Sequence, residues 1–181
     1  MGKDFKTNTV KYVDRAVVFE NRGRQIKICY EVLTMIERHL QRSKIDCEAG
    51  GVLLVRENVS NNNLILEFAT EPMPGDKRSR NRFYRKDKGH VDFYKVIYEC
   101  NQGVYAYVGE WHTHPEAVPS YSILDFNNWK KIGKESGNNS RQIHLIAGYD
   151  ALRLWEFSYF EKNVMELVTI FWDEVVFNEK V

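Results

Sequence analysis

The chain has 181 residues, a length for one domain, and its 43% hydrophobic content allows a core without disulfide staples. With 26 basic and 25 acidic residues the net charge is +1, so total charge selects neither nucleic acid nor an acidic partner. Cys29, Cys47 and Cys100 form no CxxC pair, which argues against a disulfide framework or a cysteine-rich zinc knuckle. The polar N-terminus lacks a signal-peptide core, and no stretch approaches the roughly 20 apolar residues of a bilayer span. The expectation is a cytoplasmic protein with no membrane contact.

In chain order, residues 15–20 read as a short edge strand. Cys29, Val32, Leu33, Ile36 and Leu40 follow helical spacing and predict a helix over 28–42. The run GGVLLVREN from Gly50 reads as a buried strand, with a turn at 61–63 and a returning strand over 64–69. Residues 71–90 hold two prolines, and seven Lys/Arg lie between positions 77 and 88; this segment reads as a functional surface loop. A second helix is expected over 90–101, then a strand through 104–114. Phe126, Trp129 and Ile132 or Gly133 mark a third helix from near Ser122. Runs at 142–149, 151–160 and 164–172 are strand-like. The order β-α-β-β-α-β-α-β-β-β predicts one domain, a mixed α/β (α+β) sandwich. Residues 12–160 form its body and 161–181 its last strand and extension, with the final ten residues a candidate partner-binding tail.

The informative segment is EWHTHPEAVPSYSILDF, residues 110–126. His112 and His114 are two apart on a strand, so both rings leave from one face and can converge on one ion, while Trp111 points into the core. Asp125 follows near the start of a helix. Two imidazoles and a carboxylate suit Zn²⁺ and leave one tetrahedral position for water, as a catalytic site requires. Zinc makes water a nucleophile at neutral pH, and a base must then carry its proton. Glu48, just before the Gly50-Gly51 pair that permits close backbone approach, is the candidate. Ser122 is placed to donate to an oxyanion. It also fits a helix N-cap, and the two roles are compatible. Ser120 is the alternative hydroxyl. Cys47 reads as a small buried residue, and His39, His90 and His144 as helix-surface, helix-start and strand residues.

Glu48-Ala-Gly-Gly, His112-Thr-His114-Pro and Ser122-Ile-Leu-Asp125 resemble the JAMM signature of JAB/MPN metalloproteases: a distant Glu, then HxHP, then SxxD, with ten residues between the second His and the Asp. GEWHTHPE, Trp129 and the segment PMPGDKRSRNRFYR resemble the prokaryotic JAB branch. The resemblance spans about residues 12–160 and implies, for the fold, a curved mixed sheet flanked by helices. It implies zinc held by His112, His114 and Asp125, with Glu48 as general acid/base and Ser122 as oxyanion donor. It further implies an isopeptidase acting after the extended C-terminal tail of a conjugated protein, ubiquitin-like or nucleotidyltransferase, in a bacterial antiphage (CBASS) system. Activating-like and conjugating-like enzymes are the implied partners. Alternatives are a maturation peptidase for a small ubiquitin-like or sulfur-carrier precursor, a non-catalytic MPN scaffold, and nucleic-acid binding through the basic loop, the last being disfavoured by the near-neutral charge.

Overall fold

Arg22 and Gly23 both take positive φ, 52° and 76°, the conformation of a two-residue hairpin turn. They join β2 (Ala16–Asn21) to β3 (Arg24–Cys29), and β1 (Lys11–Val13) pairs with β2 outside them. The computed structural model describes residues 10–13, 15–136 and 141–175. β3 corrects the sequence expectation, which gave its last residues to a helix. Cys29 pairs with Ala16 and stays extended (φ −70°, ψ 145°), so α1 is confined to Tyr30–Glu37.

β4 (Gly50–Glu57) and β5 (Leu64–Ala69) form the expected antiparallel pair. The basic segment departs from a plain loop, because β6 (Lys77–Ser79) and β7 (Arg82–Tyr84) pair as a separate two-stranded sheet. α2 (Gly89–Cys100), β8 (Tyr105–Thr113), α3 (Ile123–Glu135), β9 (Arg141–Ala147), β10 (Ala151–Ser158) and β11 (Asn163–Phe171) follow. The expected tail falls partly at 176–181, outside the described residues.

The large sheet runs β1-β2-β3-β5-β4-β8-β9-β10-β11. It is mixed: β3–β5 and β8–β9 are parallel, and every other pair is antiparallel. Its curvature brings the first strands to the last. Arg24 pairs with Glu156 at 2.6 Å, Asn21 Nδ2 donates to the Leu167 carbonyl at 3.4 Å, and the Tyr12 hydroxyl donates to Glu174 at 3.1 Å. The main core, with Phe19, Ile28, Leu33, Leu53, Trp111 and Leu154, fills the inside of this curve, and α1 closes it. On the other face of β9 and β10 a smaller cluster, Trp129, Ile146, Trp155 and Phe157, lies under α3. Among the described residues no helix is long and apolar enough to cross a membrane.

β8 is the strand that matters for the site. Its neighbour on one side, β4, is antiparallel and starts where β8 ends; its neighbour on the other side, β9, is parallel and is reached through α3. The end of β8 therefore meets the start of β4 and the N-terminus of α3 in one place.

Candidate functional site

Alternation along β8 buries Trp111 and Thr113 on the core side, with exposures of 1% and 0%, and turns His112 to the other face. Trp111 donates through Nε1 to the Thr70 carbonyl at 2.9 Å. Thr113, between the two histidines, accepts from the Ala49 N–H at 3.0 Å and donates to Gln41 Oε1 at 3.1 Å. Gln41 Nε2 in turn reaches the Asp46 and Arg80 carbonyls at 3.1 and 2.7 Å. The histidine strand, the segment leading to Glu48 and the basic arm are thus tied at one buried glutamine. Sequence reading gave no role to Gln41 or Thr113. Only the alternation rule, which puts Thr113 inside, pointed to it.

Asp125 is set by a helix cap. The Ser122 hydroxyl accepts from the Asp125 N–H at 3.2 Å, and Asp125 Oδ2 accepts from the Ser122 N–H and hydroxyl at 2.6 and 2.7 Å. The expected N-cap is present, and the same bonds aim the carboxylate at the histidines. α3 itself is held by Trp129, one turn beyond Asp125, which stacks on His144 at 4.4 Å with a 9° interplanar angle. His144 is 1% exposed and sits against Gln142 Oε1 at 2.9 Å.

Three ligand-type atoms converge. His112 Nε2 lies 3.0 Å from His114 Nε2 and 3.1 Å from Asp125 Oδ1, and His114 Nε2 lies 3.5 Å from Asp125 Oδ2. A tetrahedral zinc with bonds near 2.05 Å has donor–donor edges of about 3.3 Å, so this N,N,O set fits such an ion. The His114 ring also bonds the Ser120 backbone, an outer contact that orients a ligand. Ser120 is exposed and takes part through its main chain; Ser122 lines the cleft.

The electrostatics follow from this crowding. Burial opposes charge on His112, but the hydrogen bond and charge of Asp125, with Glu48 and Glu110 adding to them, outweigh it and raise its pKa. Burial and the neighbouring His112 lower His114. Burial pushes against ionised Asp125, yet His112 and the two Ser122 bonds hold it well below the usual carboxylate range. Glu48, 6% exposed, is pushed up to about 7 by burial, with Asp125 adding to the rise and His112 and the Phe83 N–H opposing it.

Glu48 and the triad share a cleft of about 650 Å³. One wall is the basic arm, residues 81–86; the other is α3, including Leu124, Asn128 and Ile132. The arm is fastened to Glu48 by three contacts. The Glu48 N–H donates to the Ser79 carbonyl at 2.8 Å, Arg78 Nε donates to the Glu48 carbonyl at 2.7 Å, and the Phe83 N–H reaches the carboxylate. Arg80 donates to the Ser43 carbonyl at 2.8 Å, Arg85 Nε donates to Glu110 at 2.9 Å and the Arg82 guanidinium lies 5.3 Å over the Tyr84 ring, so with Arg78 at least four of the seven basic residues are engaged with the protein itself. Gly50 and Gly51 allow the close approach expected of them. A Cβ on Gly50 would lie 2.6 Å from the Phe83 ring, and one on Gly51 2.1 Å from the Thr70 carbonyl.

The remaining expectations divide. Cys47 is half-buried, not buried, because it sits at the foot of the arm, where its carbonyl accepts from Arg78 at 3.2 Å. His39 lies just past α1, with Nε2 3.1 Å from Glu71. His90 is at the start of α2 but fully buried.

Residues 31–158 match the family described as prokaryotic homologs of the JAB domain. A Pseudomonas aeruginosa protein named CD-NTase/cGAS isopeptidase is 37% identical over 120 residues, 66% of this chain and 75% of that one. Proteins of the same name from Vibrio cholerae and Escherichia coli are 30% and 27% identical. The first of these matches covers 81% of this chain and 86% of the relative, and the second 65% and 74%. With the family matched over more than half its length, the chain belongs to the prokaryotic JAB family.

Proposed function

We propose that this chain is a zinc-dependent isopeptidase that removes a conjugated protein from a lysine or amine, the conjugated protein being a CD-NTase of the kind its relatives are named for. The observation that carries the reading is the convergence of His112 Nε2, His114 Nε2 and an Asp125 oxygen within 4.8 Å, at the edge of a cleft that also holds Glu48 and Ser122. Zinc held there would supply Lewis-acid activation of water and of the scissile carbonyl.

This chain's own residues do the rest. Ionised Glu48 takes a proton from the attacking water as the new C–O bond forms. It then hands that proton to the amine nitrogen as the C–N bond breaks, so the group ends in its starting state. A carboxyl with its pKa pushed up to about 7 is suited to both halves of that cycle. The Ser122 hydroxyl, which rests on Asp125 Oδ2, turns to donate to the carbonyl oxygen as it gains negative charge. The extended tail lies along the edge of β7 opposite β6, beside the Phe83 N–H that reaches Glu48; strand addition there holds one peptide bond in register with Glu48.

The test is cleavage by purified protein of a CD-NTase conjugate joined to a lysine, beside the same tail in a linear fusion. Cleavage of the lysine-linked form, loss of activity with chelator and its return with zinc are expected. Glu48→Ala should retain zinc and lose about 10²–10⁴ in rate. Full activity in that variant would remove Glu48 from the mechanism, and preference for the linear fusion would favour a maturation peptidase.

A further inference from the structure

The arm of residues 71–90 is fastened at its feet by buried polar groups that the proposed chemistry does not use. The His90 and Asp76 side chains are both 0% exposed, with His90 Nε2 2.9 Å from Asp76 Oδ2. His90 Nδ1 lies 2.5 Å from Thr70 Oγ1. Counting donors fixes the protons. Thr70 Oγ1 already accepts from the Val52 N–H at 2.9 Å, and among the described residues its own proton has only His90 Nδ1 to go to. Nδ1 therefore carries the lone pair, and Nε2–H donates to Asp76.

Asp76 is saturated. Oδ2 accepts from His90 and from the Met73 N–H at 2.7 Å; Oδ1 accepts from the Lys86 and Asp87 N–H groups at 2.9 and 3.0 Å. Asp87 answers by accepting from the Gly75 N–H at 2.7 Å and the Gly89 N–H at 2.8 Å. These charge-assisted bonds join the start of the arm to its end, across a span whose residues bury little apolar surface of their own. At the other side of Thr70, its carbonyl receives Trp111 Nε1, next to His112. From the closed arm come the Ser79 carbonyl and Phe83 N–H that meet Glu48.

We infer that Thr70, His90 and Asp76 are positioning residues: a buried clamp that closes the arm and sets it over Glu48, so that the proton carrier is placed from outside the cleft. The inference rests on the role proposed for Glu48. The clamp itself is observable without substrate.

Thr70→Val keeps the shape, removes the hydroxyl and strands both His90 Nδ1 and the Val52 N–H; Thr70→Ser returns the hydroxyl. Three quantities are compared: amide hydrogen exchange over 77–86, zinc affinity by calorimetry, and steady-state kinetics on the lysine-linked conjugate. Thr70→Val is expected to speed exchange of the arm by about tenfold or more while β9 stays protected. Zinc affinity should stay within about twofold, since the Oγ1 bonds removed go to Val52 and His90 and neither reaches a triad side chain. In kinetics kcat falls more than KM rises, and Thr70→Ser restores all of it. Unchanged arm exchange, or a loss of protection spread evenly over β8 and β9, overturns the clamp. Should Thr70→Val not fold, His90→Gln, which keeps one acceptor and one amide donor, is held to the same outcomes. A parent protein that binds zinc but cleaves no conjugate would count against the proposed function, leaving arm exchange to decide the clamp.

Discussion

Two clusters in this chain use the same side-chain types and end in opposite states. In Thr70–His90–Asp76 each lone pair that faces inward meets a proton: the hydroxyl serves Nδ1, Nε2–H serves the carboxylate, and three N–H groups take the remaining acceptor positions. At His112, His114 and Asp125 two ring nitrogens stand 3.0 Å apart beside a carboxylate whose oxygens lie 3.1 and 3.5 Å from them, three ligand-type atoms around one point. The first arrangement is closed and serves as structure. The second gathers ligand atoms around one point, opens on a cleft, and suits a cation. Residue identity alone does not separate a clamp from a metal site; how the ligand-type atoms are arranged, and access from solvent, does.

The contrast is broken most directly by removing one aspartate from each cluster. Asp125→Ala should abolish cleavage and weaken zinc binding by more than about 100-fold, since even the outer partners of metal ligands are worth about 10–100-fold. Its stability should fall only by about the 1 kcal/mol of a lost capping partner. Asp76→Ala leaves the buried His90 Nε2–H and the Met73, Lys86 and Asp87 N–H groups without their carboxylate, at a cost of about 1–3 kcal/mol, and protein that remains folded should still bind zinc. Calorimetric unfolding and zinc titration check both. A stable, zinc-binding Asp125→Ala protein would end the assignment.

Ser122 sharpens the comparison because it belongs to both kinds of work, capping α3 and facing the cleft. Ser122→Ala is expected to cost about 1 kcal/mol through the lost cap. As an oxyanion donor its loss lowers kcat by about 10²–10³. Ser122→Gly costs a cap only a few tenths of a kcal/mol and brings no side-chain donor, so stability should stay close to the parent's while kcat stays low. If kcat recovered with stability, the serine would be a cap and nothing more. Denaturant unfolding and steady-state turnover on the same preparations give the two readings.

How much of this was legible follows from how local each feature is. His112-Thr-His114 and Ser122-x-x-Asp125 are read within a few residues, because strand alternation and the capping box are short-range rules, and the structure brings the two segments together. The Gly50-Gly51 pair was also legible as a place of close approach. β3 was not: Ile26 and Ile28 alternate, but Cys29 starts a helical spacing that absorbed the strand's last residues, and only pairing with β2 settles the boundary. The β6–β7 hairpin has no apolar alternation at all. It is held by bonds to Glu48, Ser43 and Gln41, 30 or more residues away. His90 read as a helix-start residue for the same reason, since its partners lie 14 and 20 residues back in what looks like a solvated loop.

Gly51 lies at the contact that joins Thr70 of one cluster to Trp111, on the strand that carries the histidines of the other. A Cβ there would stand 2.1 Å from the Thr70 carbonyl and 2.8 Å from Trp111 Nε1. Gly51→Ala must displace one of them, with an expected cost of about 1–3 kcal/mol from overpacking. Because both the arm and the strand of His112 hang on that contact, arm exchange and zinc affinity should shift together, unlike in Thr70→Val. An Ala variant as stable as the parent would show that the Thr70–Trp111 contact yields freely.

The smallest expected effect is on the pH dependence of zinc affinity, and its sign is set by the protons that Glu48 and His112 must give up. Below about 7 Glu48 keeps its proton and withholds its negative charge from a cation, while His112, raised above its ordinary value, holds its proton to higher pH than a free imidazole and must release it to a metal. His114 is lowered and Asp125 lies well below the usual carboxylate range, so near neutrality neither has a proton to give up. Affinity therefore rises as pH passes through about 7, by up to about tenfold per pH unit for each proton released. Calorimetry in buffers of different ionisation enthalpy counts those protons. Glu48→Gln should remove its share and leave that of His112, flattening the curve without reversing it. A proton count unchanged by that substitution would put the carboxylate outside the field of the ion, and the clamp would then be holding the arm over a residue with no part in the reaction.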